Sequence, residues 1–559
     1  MSSEIQKTWW KEAIVYQIYP RSFMDSNGDG VGDLKGIISK LDYIEKLGID
    51  VVWLNPIYKS PNDDNGYDIS DYREILDEFG TMSDFEVLLQ GLHDRGIKLI
   101  MDLVVNHTSD EHFWFQESRK SRDNPYRDYY HWVPAEGGKP NERWSFFDKD
   151  GDAWKFDETT NSYYLHYFSE KQPDLKWENP KVRQEVYDLM HYWFKKGIDG
   201  FRMDVITFIS KDTTYPPIPE KFKESWDAFY GTGPKLHDYI QEMNREVLSK
   251  YDILTVGEGP GTTTENVLDL VGEDRNELQM SYHFEHPALG LQDRKLISGN
   301  DHKNLVEFKK IHTKWDETLK GKGWGAIYLG NHDQPRMVSR WADDSPELRS
   351  YAAKMLNTWL LTMRGTPFCY MGDEIGMTNI KFDRIEAYRD IETINWYNLT
   401  AKEGGDIDHF MESHKISARD NGRTPMQWAP TVNGGFTAGM PWIEVNPNHA
   451  LVNVEAQERD PNSVLHHYRK LIALRKKNDI LVYGDYQLLE PSHRELYLYQ
   501  RSWEGQQLWI ALNFSAQKVS FDFQMKNMEV WINNYDSLSI NESKIELEAF
   551  QAVVLNMVS

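Results

Sequence analysis

Eight short runs rich in β-branched and aromatic residues recur along the first 370 positions: 14–19, 51–55, 99–104, 200–204, 254–257, 279–284, 326–329 and 367–370. Stretches of amphipathic helical periodicity separate them, and strands alternating with helices are the signature of βα units around a parallel sheet. Eight such units predict a closed (β/α)8 TIM barrel. Two regions break the alternation. Residues 107–177 are aromatic and rich in Gly, Asp and Asn, which reads as a subdomain inserted after the third strand between the barrel segments 1–106 and 178–482. From about Tyr483, runs such as 496–500, 508–513 and 552–555 alternate with turns, predicting a C-terminal antiparallel β-sandwich domain over 483–559.

Composition narrows the partners. Lys and Arg number 63 against 88 Asp and Glu, a net charge of −25; such a surface repels phosphate backbones and anionic lipids, so nucleic acid and membrane are not expected. No segment is long and apolar enough to span a bilayer. The first ten residues carry no basic stretch leading into an apolar run, so a cytoplasmic location and a monomer are the expectation. Cys369 is the single cysteine, which excludes an internal disulfide and thiolate metal clusters.

The predicted strand ends carry the chemistry. Asp102 to His107, Gly200-Phe-Arg202-Met-Asp204, Gly257-Glu258 and Asn331-His332-Asp333 all fall where barrel strands finish. In a barrel these ends face one mouth, so residues far apart in sequence converge there. An acid that protonates a leaving oxygen, paired with a carboxylate that attacks an anomeric carbon or activates water, is the inventory of glycoside hydrolysis.

With Trp9-Trp10-Lys11-Glu12-Ala13-Ile14-Val15-Tyr16-Gln17-Ile18-Tyr19-Pro20 at its start, the chain resembles the α-amylase superfamily, glycoside hydrolase family thirteen, and within it the oligo-1,6-glucosidase and dextran glucosidase group. The resemblance runs from Trp9 to the C-terminus. It implies a retaining, exo-acting α-glucosidase that cleaves short α-1,6-linked glucans of the isomaltose type, with sucrose isomerase or another glucosyl-transferring member as the alternative. By the same resemblance Asp204 is the nucleophile, Glu258 the acid/base and Asp333 the stabiliser of the transition state. Arg202, two residues before Asp204, points to the same side and is expected to keep it ionised, while Glu258 needs a raised pKa. Retention implies about 5 to 5.5 Å between their carboxyl groups. The non-catalytic members of the fold family, ancillary chains of amino-acid transporters, carry a membrane helix and lack some of these acids.

The resemblance extends to the pocket. Asp64 and Tyr67, in Asp63-Asp64-Asn65-Gly66-Tyr67-Asp68, would close its blind end; composition alone would make this a turn. Arg423 would pair with Asp64, His107 and His332 would donate to sugar hydroxyls, and Phe168 and Gln172 would line the wall. Val205, directly after the nucleophile, resembles the 1,6-preferring members, whereas Thr or Ala generally stands there in 1,4-preferring ones. Departures from the pattern are Lys149-Asp150-Gly151-Asp152, Gly259 after the acid, Leu329-Gly330, and Gly290-Leu-Gln-Asp-Arg294, which lacks the Arg-Leu-Asp-Arg-Asp of sucrose isomerases. Finally, Asp25, Asn27, Asp29, the Val31 carbonyl and Asp33 alternate as oxygen donors in a Gly-rich loop, the spacing with which an EF-hand loop surrounds Ca²⁺; a structural calcium site is expected, and no organic cofactor.

Overall fold

The computed structural model describes residues 7–558 apart from 149, 224, 293, 294, 297–302, 524–526 and 542. Lys149 and Arg294 therefore lie outside the described residues. The eight runs form strands β1 (Val15–Ile18), β2 (Val51–Leu54), β3 (Lys98–Val104), β4 (Gly200–Asp204), β5 (Leu254–Glu258), β6 (Met280–Tyr282), β7 (Ala326–Ile327) and β8 (Thr366–Tyr370). They make one parallel sheet in the order β6-β5-β4-β3-β2-β1-β8-β7. A parallel bridge from Ser281 to Gly325 joins its two edges, so the sheet closes into a barrel.

Side chains alternate across each strand, so the two faces have separate fates. Val15, Val51, Trp53, Ile100, Leu254, Val256 and Phe368 pack together inside the barrel. Tyr16, Val52, Leu54, Leu99, Met101, Phe201 and Met203 pack outward against the helical layer. The inward parity carries on to Asp102 in β3, to Arg202 and Asp204 in β4 and to Glu258 in β5. Cross-strand register then sets their heights: Asp102 lies beside Arg202, Val104 beside Asp204, Val256 beside Arg202 and Glu258 beside Tyr282. The entry to β4 requires glycine, because a Cβ at Gly200 would stand 1.9 Å from the Leu254 carbonyl oxygen.

Between β3 and the following helix (Pro180–Lys196), Trp132–Pro134, Ser162–Leu165 and Trp154–Asp157 form a small antiparallel sheet. A bridge from His107 to Asp174 and the Leu175 amide donating to the Asn106 carbonyl tie this insertion to the end of β3. At the C-terminus a five-stranded sheet (strands within 485–557) faces a three-stranded one (519–522, 544–547, 539–541), both antiparallel. Leu498, Ala511 and Val553 of the first sheet and Val519, Phe521, Ile545 and Leu547 of the second share one core, which makes the pair a sandwich. Tyr497, Tyr499, Leu508 and Ile510, on the other face of the larger sheet, belong to the main core with the barrel helices. Among the described residues no helix is long and apolar enough to cross a membrane.

Candidate active site

Arg202 is the hub of the barrel mouth. Its Nη1 lies 2.6 Å from Asp102 Oδ1 and 2.7 Å from Asp204 Oδ1, its Nη2 is 2.7 Å from Glu258 Oε2, and its Nε donates to the Tyr282 hydroxyl at 2.7 Å. One buried guanidinium thus spans four adjacent strands, β3 to β6, a geometry that suits its planar fork. Asp102 is also held from behind, its Oδ2 accepting from Trp53 Nε1 at 2.8 Å. Asp204 and Glu258 are 7% and 6% exposed, open to the pocket by one edge only.

Burial is the largest influence on Asp204 and pushes its carboxyl well above the usual range; Glu258 and Asp102 add to the rise, against the pull of Arg202. Arg202 pulls toward the ionised form, as expected, but burial and two neighbouring carboxylates oppose it. Glu258 Oε2 accepts from the Val205 amide at 3.0 Å and lies 2.7 Å from Arg202 Nη2. Asp204 Oδ1 is engaged by Arg202, which leaves Oδ2 as its reactive oxygen.

The Val205 amide reaches Glu258 because the chain bends sharply after β4. Val205 has φ +34° and ψ +41°, a left-handed conformation that a β-branched residue adopts only under strain, at a cost of about 1–3 kcal/mol.

Asp333 has the opposite electrostatic setting. Although its burial works upward, His332, Arg419, Arg423 and Arg202 together hold it far below the ordinary carboxylate range. Arg419 Nη1 and Arg423 Nη2 donate to its Oδ1 at 3.0 and 2.9 Å, and His332 Nε2 lies 3.1 Å from its Oδ2. Both arginines also pair with Asp390. His332 is neutral, pushed down to about 3 chiefly by burial, and stacks on the Tyr67 ring with 5.1 Å between centroids. Gln17 Nε2 lies 2.8 Å from its Nδ1. An amide nitrogen can only donate, so the ring proton is on Nε2, facing Asp333.

At the blind end, Asp64 is reached by Gln172 Nε2 at 3.1 Å and by Arg419 Nη2 at 3.5 Å. This corrects the expected pairing with Arg423, whose guanidinium is taken up by Asp333, Asp390 and the His332 carbonyl. Arg419 and Arg423 are four residues apart around a single helical turn and share a face, and Arg419 is the one nearer the cavity. Because burial outweighs the distant cation, the Asp64 carboxyl is raised to about 7. Tyr67, His107, Phe168 and Val205 line the same cavity of about 310 Å³ with Asp64, Asp204, Glu258 and Asp333. Gln172 and Arg423 stand directly behind it.

Sequence reasoning did not single out Arg419, Asp390, Glu392, Phe146, Phe147 or Phe208. Arg419 pairs with Glu392 as well, through Nε at 3.2 Å. Its spacing of four from Arg423 was the available signal; Asp390 caps the helix Ile391–Lys402 and Glu392 stands in its first turn, with no strand-end position to mark them.

The loop 25–33 sits apart from this pocket. Asp25 accepts from the amides of Asn27, Gly28 and Gly30 and from the Thr437 hydroxyl. Asp33 caps the helix Leu34–Ile38 through the Gly36 amide and takes the Ser26 amide and hydroxyl on its other oxygen. Among the described residues no three His, Cys, Asp or Glu side chains converge as metal ligands. The donors, all oxygen, suit Ca²⁺ in their chemistry, but in this conformation the carboxylates are spent on amides and hydroxyls and do not form a coordination shell.

A closed (β/α)8 barrel with paired, buried carboxylates at its mouth has the architecture of a glycoside hydrolase. Residues 17–484 match the family described as alpha amylase, catalytic domain, and residues 486–554 match the maltogenic amylase C-terminal domain; the chain belongs to the alpha-amylase family. It is 54% identical to the oligo-1,6-glucosidase of Parageobacillus thermoglucosidasius, over 98% of this chain and 99% of that one. It is 51% identical to the oligo-1,6-glucosidase of Bacillus cereus, over 99% and 100%. Among solved structures, an isomaltulose synthase variant from Erwinia rhapontici NX5 superimposes with a TM-score of 0.95 at 42% identity, covering 98% of this chain and 99% of that one.

Proposed function

We propose that the chain is a retaining, exo-acting α-glucosidase that releases glucose from the non-reducing end of short α-1,6-linked gluco-oligosaccharides. One observation carries this reading: the Asp204–Glu258 pair stands on one guanidinium at the side of a cavity whose far end is closed by Asp64, Gln172 and Arg419. The resemblance to oligo-1,6-glucosidases over nearly the full length supports the linkage.

In this reading Glu258 gives a proton to the glycosidic oxygen while Asp204 Oδ2 attacks C1. The C1–O bond of the leaving sugar breaks and a β-glucosyl ester forms. Glu258, now ionised, takes a proton from water, whose oxygen attacks C1 from the vacated side; Asp204 leaves, and the α-configuration is restored. Asp333, held ionised by His332, Arg419 and Arg423, accepts hydrogen bonds from sugar hydroxyls that tighten as the ring flattens. His107 and His332 turn their Nε2 protons from the Tyr67 carbonyl and Asp333 to sugar hydroxyls as the substrate enters, and Tyr67 and Phe168 offer ring faces.

The same glucosyl ester serves a second reading, sucrose isomerisation, which the superposition on the isomaltulose synthase favours. Incubation with isomaltotriose, maltotriose and sucrose separates the two. Glucose released fastest from isomaltotriose, initially as the α-anomer by NMR, is the expected result; isomaltulose or trehalulose accumulating from sucrose would replace the first reading by the second.

The protein in this proposal is a cytoplasmic monomer, consistent with its charge of −25 and a small neutral substrate. It takes Ca²⁺ at the 25–33 loop, where Asp25, Asn27, Asp29, Asp33 and the Val31 carbonyl would give up part of their amide and hydroxyl bonds to hold the ion as a stabiliser remote from the chemistry. A chelator should lower the melting temperature and added Ca²⁺ restore it, with turnover at low temperature unchanged; an unaltered melt ends the calcium proposal.

A further inference from the structure

Lys211 lies seven residues beyond Asp204, on the segment that follows the 3₁₀ turn Ile206–Phe208, and is 4% exposed. Its Nζ donates to Asn106 Oδ1 at 2.6 Å and is 3.0 Å from Asp174 Oδ2. The face of Tyr167 covers it, with 4.9 Å from Nζ to the ring centroid. A buried cation here links the segment after the nucleophile to the end of β3 and to the inserted subdomain, yet it touches nothing in the pocket.

The hydrogen-bond grammar passes its charge on. An ammonium has only donors, so the Asn106 oxygen must face Lys211. The amide nitrogen of Asn106 then faces the other way, 3.2 Å from His107 Nδ1 and 3.4 Å from Asp174 Oδ1, and the Asp174 acceptor fixes the amide in the same sense. A donor aimed at Nδ1 requires that nitrogen to be unprotonated. His107 is neutral, pushed down to about 3 chiefly by burial, so it carries one proton and that proton is on Nε2. Nε2 lies 3.1 Å from the Tyr67 carbonyl oxygen, which accepts. The 3.2 Å approach of Gln172 Nε2 to the same nitrogen is then a contact of two donors, and Gln172 spends its hydrogen bond on Asp64.

We propose that Lys211 is a positioning residue that sets the tautomer of His107 through Asn106, so that the ring proton lies on Nε2, where the Tyr67 carbonyl accepts it until a sugar hydroxyl takes it over. Its consequence for catalysis rests on His107 facing sugar in the proposed function; the tautomer does not, and can be read without substrate.

The test uses the full chain labelled with ring-¹⁵N histidine, its His107 signals assigned by their loss in His107→Asn. Long-range ¹H–¹⁵N correlation at neutral pH should show the proton on Nε2. In Asn106→Asp, whose side chain has only acceptors, it should move to Nδ1, with kcat/KM for isomaltose falling about tenfold, the size of one hydrogen bond to the sugar. In the Lys211→Met, Asp174→Asn double variant, which removes both charges together, the amide is released to turn and both tautomers should be populated. A proton on Nδ1 in the unaltered protein overturns the proposal, even should every variant fail to fold. So does an Nε2 proton that persists in Asn106→Asp. A switched tautomer with unchanged kcat/KM would leave the relay in place and count instead against His107 as a sugar contact.

Discussion

Asp204 and Asp333 line one cavity and sit on opposite sides of ordinary carboxylate behaviour. The first is pushed upward by burial and by Glu258 and Asp102, with a single shared guanidinium to oppose them. The second is drawn down by His332 and two arginines of its own wall. The difference separates two ways of building a site. The floor, made by strand ends, concentrates negative charge beyond what its cation neutralises, which costs stability and supplies a proton to move. The wall, built around residues 390–423, shares two arginines among Asp64, Asp333, Asp390, Glu392 and Asp420, and serves to hold a shape.

The largest effect tests the floor. Asp204→Asn should lower turnover of isomaltose by roughly 10⁴-fold or more, the scale seen when a covalent nucleophile is removed. Since the folded state is penalised by ionising this carboxyl, the same variant should melt higher than the unaltered protein, even as activity vanishes. Substantial residual activity in a clean preparation, or a lower melting temperature, would break the contrast.

Arg419→Met probes the wall. It leaves Asp390 and Glu392 buried beside one fewer cation, and breaking such a buried pair costs about 3–5 kcal/mol. Melting temperature should fall and KM should rise more than kcat drops; Arg419→Lys, which keeps the charge and loses the fork, should lie between. Unchanged melting would mean that the wall is not held by its ion pairs.

How the two regions read from sequence follows the same division. Asp102, Arg202, Asp204 and Glu258 were legible because strand parity and the barrel rule place any inward residue at a strand end in the mouth. All eight strands were legible too, though β7 is only Ala326–Ile327, shorter than its apolar run. The partner of Asp64 was not: Arg419 and Arg423 share a helical face, and which of them reaches the cavity depends on the Asp390 and His332 carbonyl contacts that hold Arg423 back. Nor could the sequence reveal the left-handed bend at Val205, since a β-branched residue is among the last that local propensity would put there.

Linkage sharpens the floor and wall contrast with a smaller effect. Asp204 has a folded pKa above its unfolded value near 3.9, so its relative stabilisation is complete below that value and is lost as pH rises through the folded pKa. The gain in melting temperature for Asp204→Asn should therefore be present at pH 8 and shrink toward pH 4. Asp333 has its folded pKa depressed, so its contribution is present above about 3.9 and lost as pH falls below it. Asp333→Asn should melt lower than the unaltered protein at pH 7 and at pH 5 alike, converging only in stronger acid. Parallel melts across this range that show one common trend for both variants would dissolve the distinction.

Val205 lies where floor and leaving-group side meet, and the effect expected there is the smallest. Val205→Thr keeps the branch at Cβ, so it keeps both the strained φ of +34° and the amide bond to Glu258. What changes is one methyl for one hydroxyl in the cavity lining. A new hydrogen bond to a bound sugar is worth about 0.5–1.5 kcal/mol, so the ratio of isomaltose to maltose kcat/KM should shift toward maltose by about fivefold, with melting nearly unchanged. An unaltered ratio would assign Val205 to packing against Phe168 and Phe208, its partners in the aromatic cluster under the inserted subdomain, and move the source of linkage preference to the outer rim.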